Sequence, residues 1–95
     1  MTVKDVESAL SEAVREIQTL SGRPVEGIGP DSRPIGGIAG FDSLNGVEVG
    51  AIVTDKLGID VGENPLLDED GNSLTIRAAA TRISRAREET HASPG

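Results

Sequence analysis

The sequence contains no cysteine, tryptophan or tyrosine, a single phenylalanine, Phe41, and a single histidine, His91. Without cysteine, the chain can form neither disulfides nor thiolate metal sites. One histidine, placed in the polar C-terminal end, cannot supply a multi-histidine metal site or a histidine-based catalytic dyad or triad. We therefore expect no metal site and assign no catalytic residue.

Basic residues and long apolar runs are also scarce. The formal net charge is −7, which argues against nucleic acid and anionic membranes as partners and suggests basic ones instead. No apolar run approaches transmembrane length, and the N-terminus lacks a basic region followed by an apolar one. We expect a cytoplasmic protein that does not insert into a membrane.

The hydrophobic residues that are present predict an all-α fold. The 95 residues include 36% hydrophobic residues and one aromatic, so the single core must be aliphatic, which suits small helices better than a β-sandwich. We predict a small four-helix bundle, with three main helices, one short helix and a long first loop. The predicted helical domain spans residues 1–87, and residues 88–95 are predicted to be a disordered tail.

The first helix is predicted from its caps and its period. Thr2 is expected to be the N-cap, with Asp5 completing a capping box, and Gly22 and Pro24 end the pattern. The apolar stripe between them consists of Val3, Val6, Leu10, Ala13, Val14, Ile17 and Leu20. This spacing predicts an amphipathic helix.

A long loop follows, over residues 22–42, with six glycines and three prolines. Loops of this length in compact domains are usually functional or disordered. Apolar residues that could anchor it to the core occur at Val25, Ile28, Ile35, Ile38 and Phe41. We interpret it as an ordered crossing loop, the alternative being a flexible connector.

The second main helix is predicted from Asp42 to Leu57, with Gly58 ending it. Helical spacing places six apolar residues on one arc, namely Leu44, Val47, Val49, Ala51, Val53 and Leu57. The arc also includes Ser43, Gly46, Gly50 and Thr54, and the opposite side carries Asn45, Glu48, Ile52, Asp55 and Lys56. Each interior glycine costs roughly 1 kcal/mol relative to alanine. Close packing of another helix would offset this cost, and room for a buried ligand is the less favoured alternative.

Two further helices are predicted after residue 60. Asn64 as N-cap and Pro65 at the first position predict a short helix that Gly71 ends. Ser73 or Thr75 is expected to cap the last helix, whose stripe consists of Leu74, Ile76, Ala79, Ala80, Ile83 and Ala86. Its arginines are expected to lie beside acids of the first helix and of residues 60–70.

The triplet Asp42-Ser43-Leu44 lies where the loop becomes the second main helix. Unpaired backbone N–H groups and the helix dipole favour a phosphate at such a position. We therefore expect Ser43 to carry a phosphate-linked group.

At this point the chain resembles an acyl carrier protein of the phosphopantetheine-binding family. The resemblance covers roughly residues 3–87. It is carried by Asp42-Ser43-Leu44 at the start of the second predicted helix, by Val47-Glu48-Val49 one turn later and by Leu57-Gly58 at the helix end. Leu74-Thr75-Ile76-Arg77-Ala78-Ala79 supports it at the start of the last helix.

This resemblance implies that 4′-phosphopantetheine is the cofactor, covalently attached to Ser43, with Asp42 and Leu44 completing the attachment motif. A separate, Mg²⁺-dependent phosphopantetheinyl transferase would supply the arm from coenzyme A. The thiol of the arm, and no side chain of this protein, would hold acyl groups as thioesters. The second helix has fewer acids than is usual in this family, it has glycine at positions 46 and 50, and the first loop is rich in glycine. These departures favour a specialised carrier for a lipid, polyketide or other pathway over general fatty acid synthesis.

The resemblance also implies partners. Acyl-loading, elongating or acyl-transferring enzymes would dock basic patches on a surface formed by Glu48, Ala51, Ile52 and Asp55. The carrier itself is expected to be a monomer and not an enzyme.

Two other functions remain open at this level. One is an unmodified helical interaction module that uses the face of Glu48, Ile52 and Asp55. The other is a hydrolase with Ser43 as nucleophile, which is disfavoured because no base is expected near this serine.

Overall fold

The computed structural model describes residues 2–92 and confirms the all-α fold. Its helices are α1 (Val3–Leu20), α2 (Pro34–Gly37), α3 (Ser43–Leu57) and α4 (Ile76–Ala92). Helix α1 packs against both α3 and α4 and is therefore the centre of the bundle. No helix in the described part of the chain is long and apolar enough to span a membrane.

The helix ends follow the local sequence signals. The predicted capping box at Thr2 and Asp5 is present, with the Asp5 N–H donating to Thr2 Oγ1 over 3.2 Å. At the other end, Gly22 has a φ of 70°, and its N–H donates to the Thr19 carbonyl. The Arg23 N–H donates to the Gln18 carbonyl over 2.8 Å. These two bonds form a Schellman motif, which explains why α1 ends here.

The core is aliphatic, as predicted, apart from Phe41. Its buried apolar residues are Val6, Ala9, Leu10, Ala13, Val14, Ile17, Ile28, Phe41, Val49, Val53, Val61, Leu66, Ile76, Ala79, Ala80 and Ile83. The ends of the predicted α1 stripe differ from this pattern. Val3 is 37% exposed and Leu20 is 80% exposed. The apolar period therefore predicts the middle of α1 better than its ends.

The long first loop is ordered by contacts from other elements. The Arg15 guanidinium donates to the Ile28 carbonyl over 2.8 Å. The first turn of α4 continues this attachment, because its Ile76 N–H donates to the Ser32 carbonyl over 2.9 Å. Within the loop, α2 is a single turn in which Ile35 and Gly36 have the dihedral angles of a type II β-turn. These contacts support the interpretation of an ordered crossing loop.

The short helix predicted at Asn64 is not formed. Residues 64–70 contain turns, and Leu67 makes an isolated antiparallel bridge with Ser73. The Asn64 Oδ1 accepts a hydrogen bond from the Leu66 N–H, two residues later, which stabilises a turn in place of a helix. The only short helix of the described chain is α2, which precedes α3.

Helix α4 begins after Thr75, whose Oγ1 accepts from the Ala78 N–H over 3.1 Å. Two of its arginines have the predicted acidic neighbours, since Arg77 pairs with Glu7 and Arg82 with Glu69. The helix continues beyond the predicted domain end at residue 87, as far as Ala92. The predicted tail thus begins inside α4, and residues 93–95 of it lie outside the described residues.

Candidate functional site

Ser43 is the first residue of α3 and is exposed. Its hydroxyl makes no hydrogen bond to any described residue, and the backbone N–H groups of Ser43 and Leu44 are also unpartnered there. The N–H groups at the start of a helix have no intrahelical acceptor and attract anions. The structure therefore presents a free hydroxyl beside two free backbone donors.

The capping residues of α3 fix the backbone of this serine. The Asp42 Oδ1 accepts from the Asn45 N–H over 3.1 Å, and the Asn45 Oδ1 accepts from the Asp42 N–H over 3.1 Å. This reciprocal pair is a capping box, with asparagine in the place of the usual glutamate. The Asn45 amide also donates to Glu48 Oε1 over 3.0 Å. Asp42 is therefore the N-cap of α3.

A second asparagine holds the other side of the serine. The Asn64 Nδ2 donates to the carbonyl oxygen of Ser43 over 3.0 Å. A Cβ on Gly46 would lie 2.4 Å from the Asn64 Oδ1, so only glycine leaves room for this amide. Sequence reasoning placed Asn64 at a helix N-cap and missed this contact.

Gly50 extends the same close approach. A Cβ at this position would lie 2.7 Å from the Glu63 carbonyl oxygen and 3.1 Å from the Pro65 Cδ. Gly46 therefore accommodates the Asn64 side chain, and Gly50 accommodates the backbone of Gly62 and Glu63 and the Pro65 ring. The packing explanation is supported, although the element that approaches is an irregular segment and not the expected helix.

The loop before Ser43 is held by the end of α1. Gln18 is fully buried, and its Nε2 donates to the carbonyls of Pro24 and Ala39, over 3.1 and 3.4 Å. The Arg23 guanidinium donates to the Gly40 carbonyl and, over 3.4 Å, to Asn45 Oδ1. Neither side chain was predicted to belong to the site, because nothing in the local sequence indicates a contact across so many residues.

The buried side of α3 covers only part of the predicted apolar arc. The buried residues are Gly46, Val49, Gly50 and Val53. Leu44 is 72% exposed, Val47 is 38% exposed and Ala51 is exposed. Ile52, predicted to face solvent, is half-buried and packs against the core. The centre of the buried side is rotated relative to that of the predicted arc, because α3 packs most closely on the side that carries the two glycines.

The exposed residues form a surface that we call the α3 outer face, comprising Leu44, Val47, Glu48, Ala51 and Asp55. At 100° per residue these positions span roughly 100° of the helix circumference. Three of the four predicted docking residues lie on this face, and Ile52 lies beside it. The face combines an apolar stripe with two carboxylates.

The described residues contain no group of three or more histidine, cysteine, aspartate or glutamate side chains arranged to hold a metal ion. The Asp68 carboxylate, in the most acidic turn, accepts from the N–H groups of Asp70 and Asn72 over 2.9 Å each. The Asn72 backbone hydrogen bond is the main reason that the pKa of Asp68 is lowered. This carboxylate therefore stabilises its own turn.

Comparison with protein-family models, with curated proteins and with solved structures found no match to this chain. Its class is thus defined by the fold and the site alone, as a small helical bundle that presents an exposed serine at a helix N-terminus.

Proposed function

We propose that the chain is an acyl carrier protein in which Ser43 carries 4′-phosphopantetheine. The observation that carries this proposal is the exposed, unpartnered Ser43 hydroxyl on a turn held from both sides. A covalent attachment point must be accessible and needs no base beside it when a separate enzyme performs the transfer. This combination favours attachment over catalysis by this chain.

The modification is a phosphoryl transfer from coenzyme A. A bond forms between Ser43 Oγ and the phosphorus that bears the pantetheine group, and the bond from this phosphorus to the nucleotide phosphate breaks. Adenosine 3′,5′-bisphosphate leaves, and the hydroxyl proton passes to the transferase. The unpartnered N–H groups at the start of α3 would stabilise the resulting phosphodiester anion.

The α3 outer face supports a role in docking partner enzymes. Leu44 and Val47 offer apolar contact area, and Glu48 and Asp55 would attract a basic surface. The partners would be a phosphopantetheinyl transferase and acyl-loading, elongating or acyl-transferring enzymes. The cargo would be an acyl intermediate of a lipid or polyketide pathway in the cytoplasm.

Intact-mass measurement tests the attachment directly. The purified chain, incubated with coenzyme A, Mg²⁺ and a broad-specificity transferase, is expected to gain the mass of one arm. Ser43→Ala should abolish this gain, whereas Ser8→Ala, at an exposed serine of α1, should leave it intact. Failure of the unsubstituted chain to gain mass with several such transferases would refute the proposal.

The exposed apolar stripe of α3 also favours a second candidate, an unmodified protein-interaction module. This module would use Glu48 and Asp55 on the α3 outer face, with the half-buried Ile52 beside them, and have no need of Ser43. Its partner would bind equally well to the unsubstituted chain and to Ser43→Ala, and binding would not require the arm. Binding that depends on the arm would exclude it.

A further inference from the structure

The backbone of Arg23 is anchored just after the end of α1. Its backbone N–H closes the Schellman motif on the Gln18 carbonyl over 2.8 Å, and the adjacent Gly22 provides the left-handed residue that this motif requires. The base of the side chain is therefore fixed by the helix that forms the centre of the bundle.

From this position the guanidinium reaches both sides of Ser43. Nη1 donates to the Gly40 carbonyl, three residues before the serine, and Nη2 lies 3.4 Å from Asn45 Oδ1, two residues after it. A Cβ on Gly40 would displace the guanidinium, and Gly40 has a φ of 75°, so glycine suits this position on both counts. One side chain thus connects the loop before α3 to its capping box.

The charge of Arg23 has no carboxylate partner within 4.0 Å among the described residues. The side chain is half-buried, and its Nε is buried without an acceptor. Its described contacts are therefore those that fix the turn around Ser43.

We propose that Arg23 is a positioning residue for modification of Ser43, an inference that rests on the proposed function. By tying Gly40 to Asn45 it holds the serine backbone in one conformation before the transferase binds. A nucleophile held in its reactive geometry reacts faster than one that must first be ordered. The capping box and Asn64 do not depend on Arg23, so its loss loosens the turn without removing the helix start.

The test compares Arg23→Ala with Arg33→Ala. Arg33 lies in the same loop and also donates to a backbone carbonyl, that of Ser73, but does not contact the Ser43 turn. Initial rates of arm transfer are measured at varied concentrations of this chain, which gives the kcat of the transferase and its KM for the chain separately. Arg23→Ala should lower kcat about tenfold, with KM unchanged because the α3 outer face is intact. Arg33→Ala should keep both constants.

Circular dichroism establishes that each variant is folded at the assay temperature. If Arg23→Ala does not fold, Arg23→Lys replaces it; lysine keeps the charge but lacks the planar fork whose two nitrogens donate to the two acceptors, so a lower kcat is again expected. An unchanged kcat in the folded variant, or an equal loss in Arg33→Ala, would overturn the proposal. Absence of modification in the unsubstituted chain would instead refute the proposed function.

Discussion

At the scale of single residues, the site depends as much on two glycines as on the serine. Gly46 admits the Asn64 amide that holds the Ser43 carbonyl, and Gly50 admits the backbone of Glu63. Glycine is unfavourable inside a helix, yet here any side chain would push away the segment that supports the serine. The cost in helix propensity is offset by close packing.

Gly50→Ala should therefore lower the free energy of unfolding by about 1–3 kcal/mol, because the added methyl meets backbone atoms that must shift. Urea denaturation measures this change. Gly29→Ala is the control, since a Cβ there meets nothing within 4 Å, and its stability should be unchanged or slightly raised. A Gly50→Ala variant as stable as the parent would show that residues 62–65 do not pack as described.

Residue patterns predicted the position of Ser43 and an arc that contains all four buried residues of its helix, but this arc was too broad. The helix ends at Asp42 and Gly58 are set by local residues, and both were predicted to within one residue. The arc was wrong for Leu44, Val47 and Ala51, which are exposed, because a hydrophobic pattern does not indicate that the closest packing occurs at the two glycines. Close packing at a glycine leaves no hydrophobic residue in the sequence that could indicate it.

At the scale of elements, α3 is held by α1 on one side and by residues 62–65 on another. This leaves its outer face exposed, with Glu48 and Asp55 beside the apolar stripe. Long-range attraction between this face and a basic partner would increase the rate of encounter and weaken with salt.

Charge reversal tests this face. Glu48→Lys combined with Asp55→Lys should reduce kcat/KM for arm transfer by about tenfold or more at low salt, mainly through KM. The control is Glu16→Lys combined with Glu26→Lys, which makes the same change in net charge at exposed acids outside α3. Equal effects from both pairs would indicate net charge alone, and would count against docking on α3.

Element prediction failed where a side chain had two possible partners. Asn followed by Pro is a good helix start, but Asn64 instead bonds the Ser43 carbonyl and the Leu66 N–H. The long first loop was interpreted correctly as ordered, but the contacts that anchor it, from Gln18 and Arg15, are non-local. Sequence could indicate that this loop was ordered, but not which residues order it.

At the scale of the whole molecule, carboxylates connect and cap the helices. The hydrogen bond from Lys56 is the main cause of the lowered pKa of Glu12 and links α3 to α1. The backbone N–H of Thr2 is the main cause of the lowered pKa of Asp5 at the start of α1. Because the folded pKa values are the lower ones, the unfolded chain binds more protons as the pH falls.

The melting temperature should therefore be nearly constant from neutral pH to about pH 5 and should fall below about pH 4. Glu12→Gln should have a lower melting temperature than the parent at neutral pH. In acid the two melting temperatures should converge, because protonation of Glu12 removes the stabilising interaction with Lys56 from the parent as well. Glu26→Gln is the control, because Glu26 makes no hydrogen bond in the described part of the chain. A constant difference between Glu12→Gln and the parent across this pH range would contradict the assignment.

The burial of Phe41 gives the molecule an unusual spectroscopic property. Its side chain is only 4% exposed, it lies two residues before Ser43, and the sequence has no tyrosine or tryptophan. Every aromatic proton resonance except those of His91 therefore comes from one ring in the Ser43 turn. Changes in these resonances on attachment of an arm, or on binding of a partner, would report on this turn without isotope labelling or an introduced fluorophore.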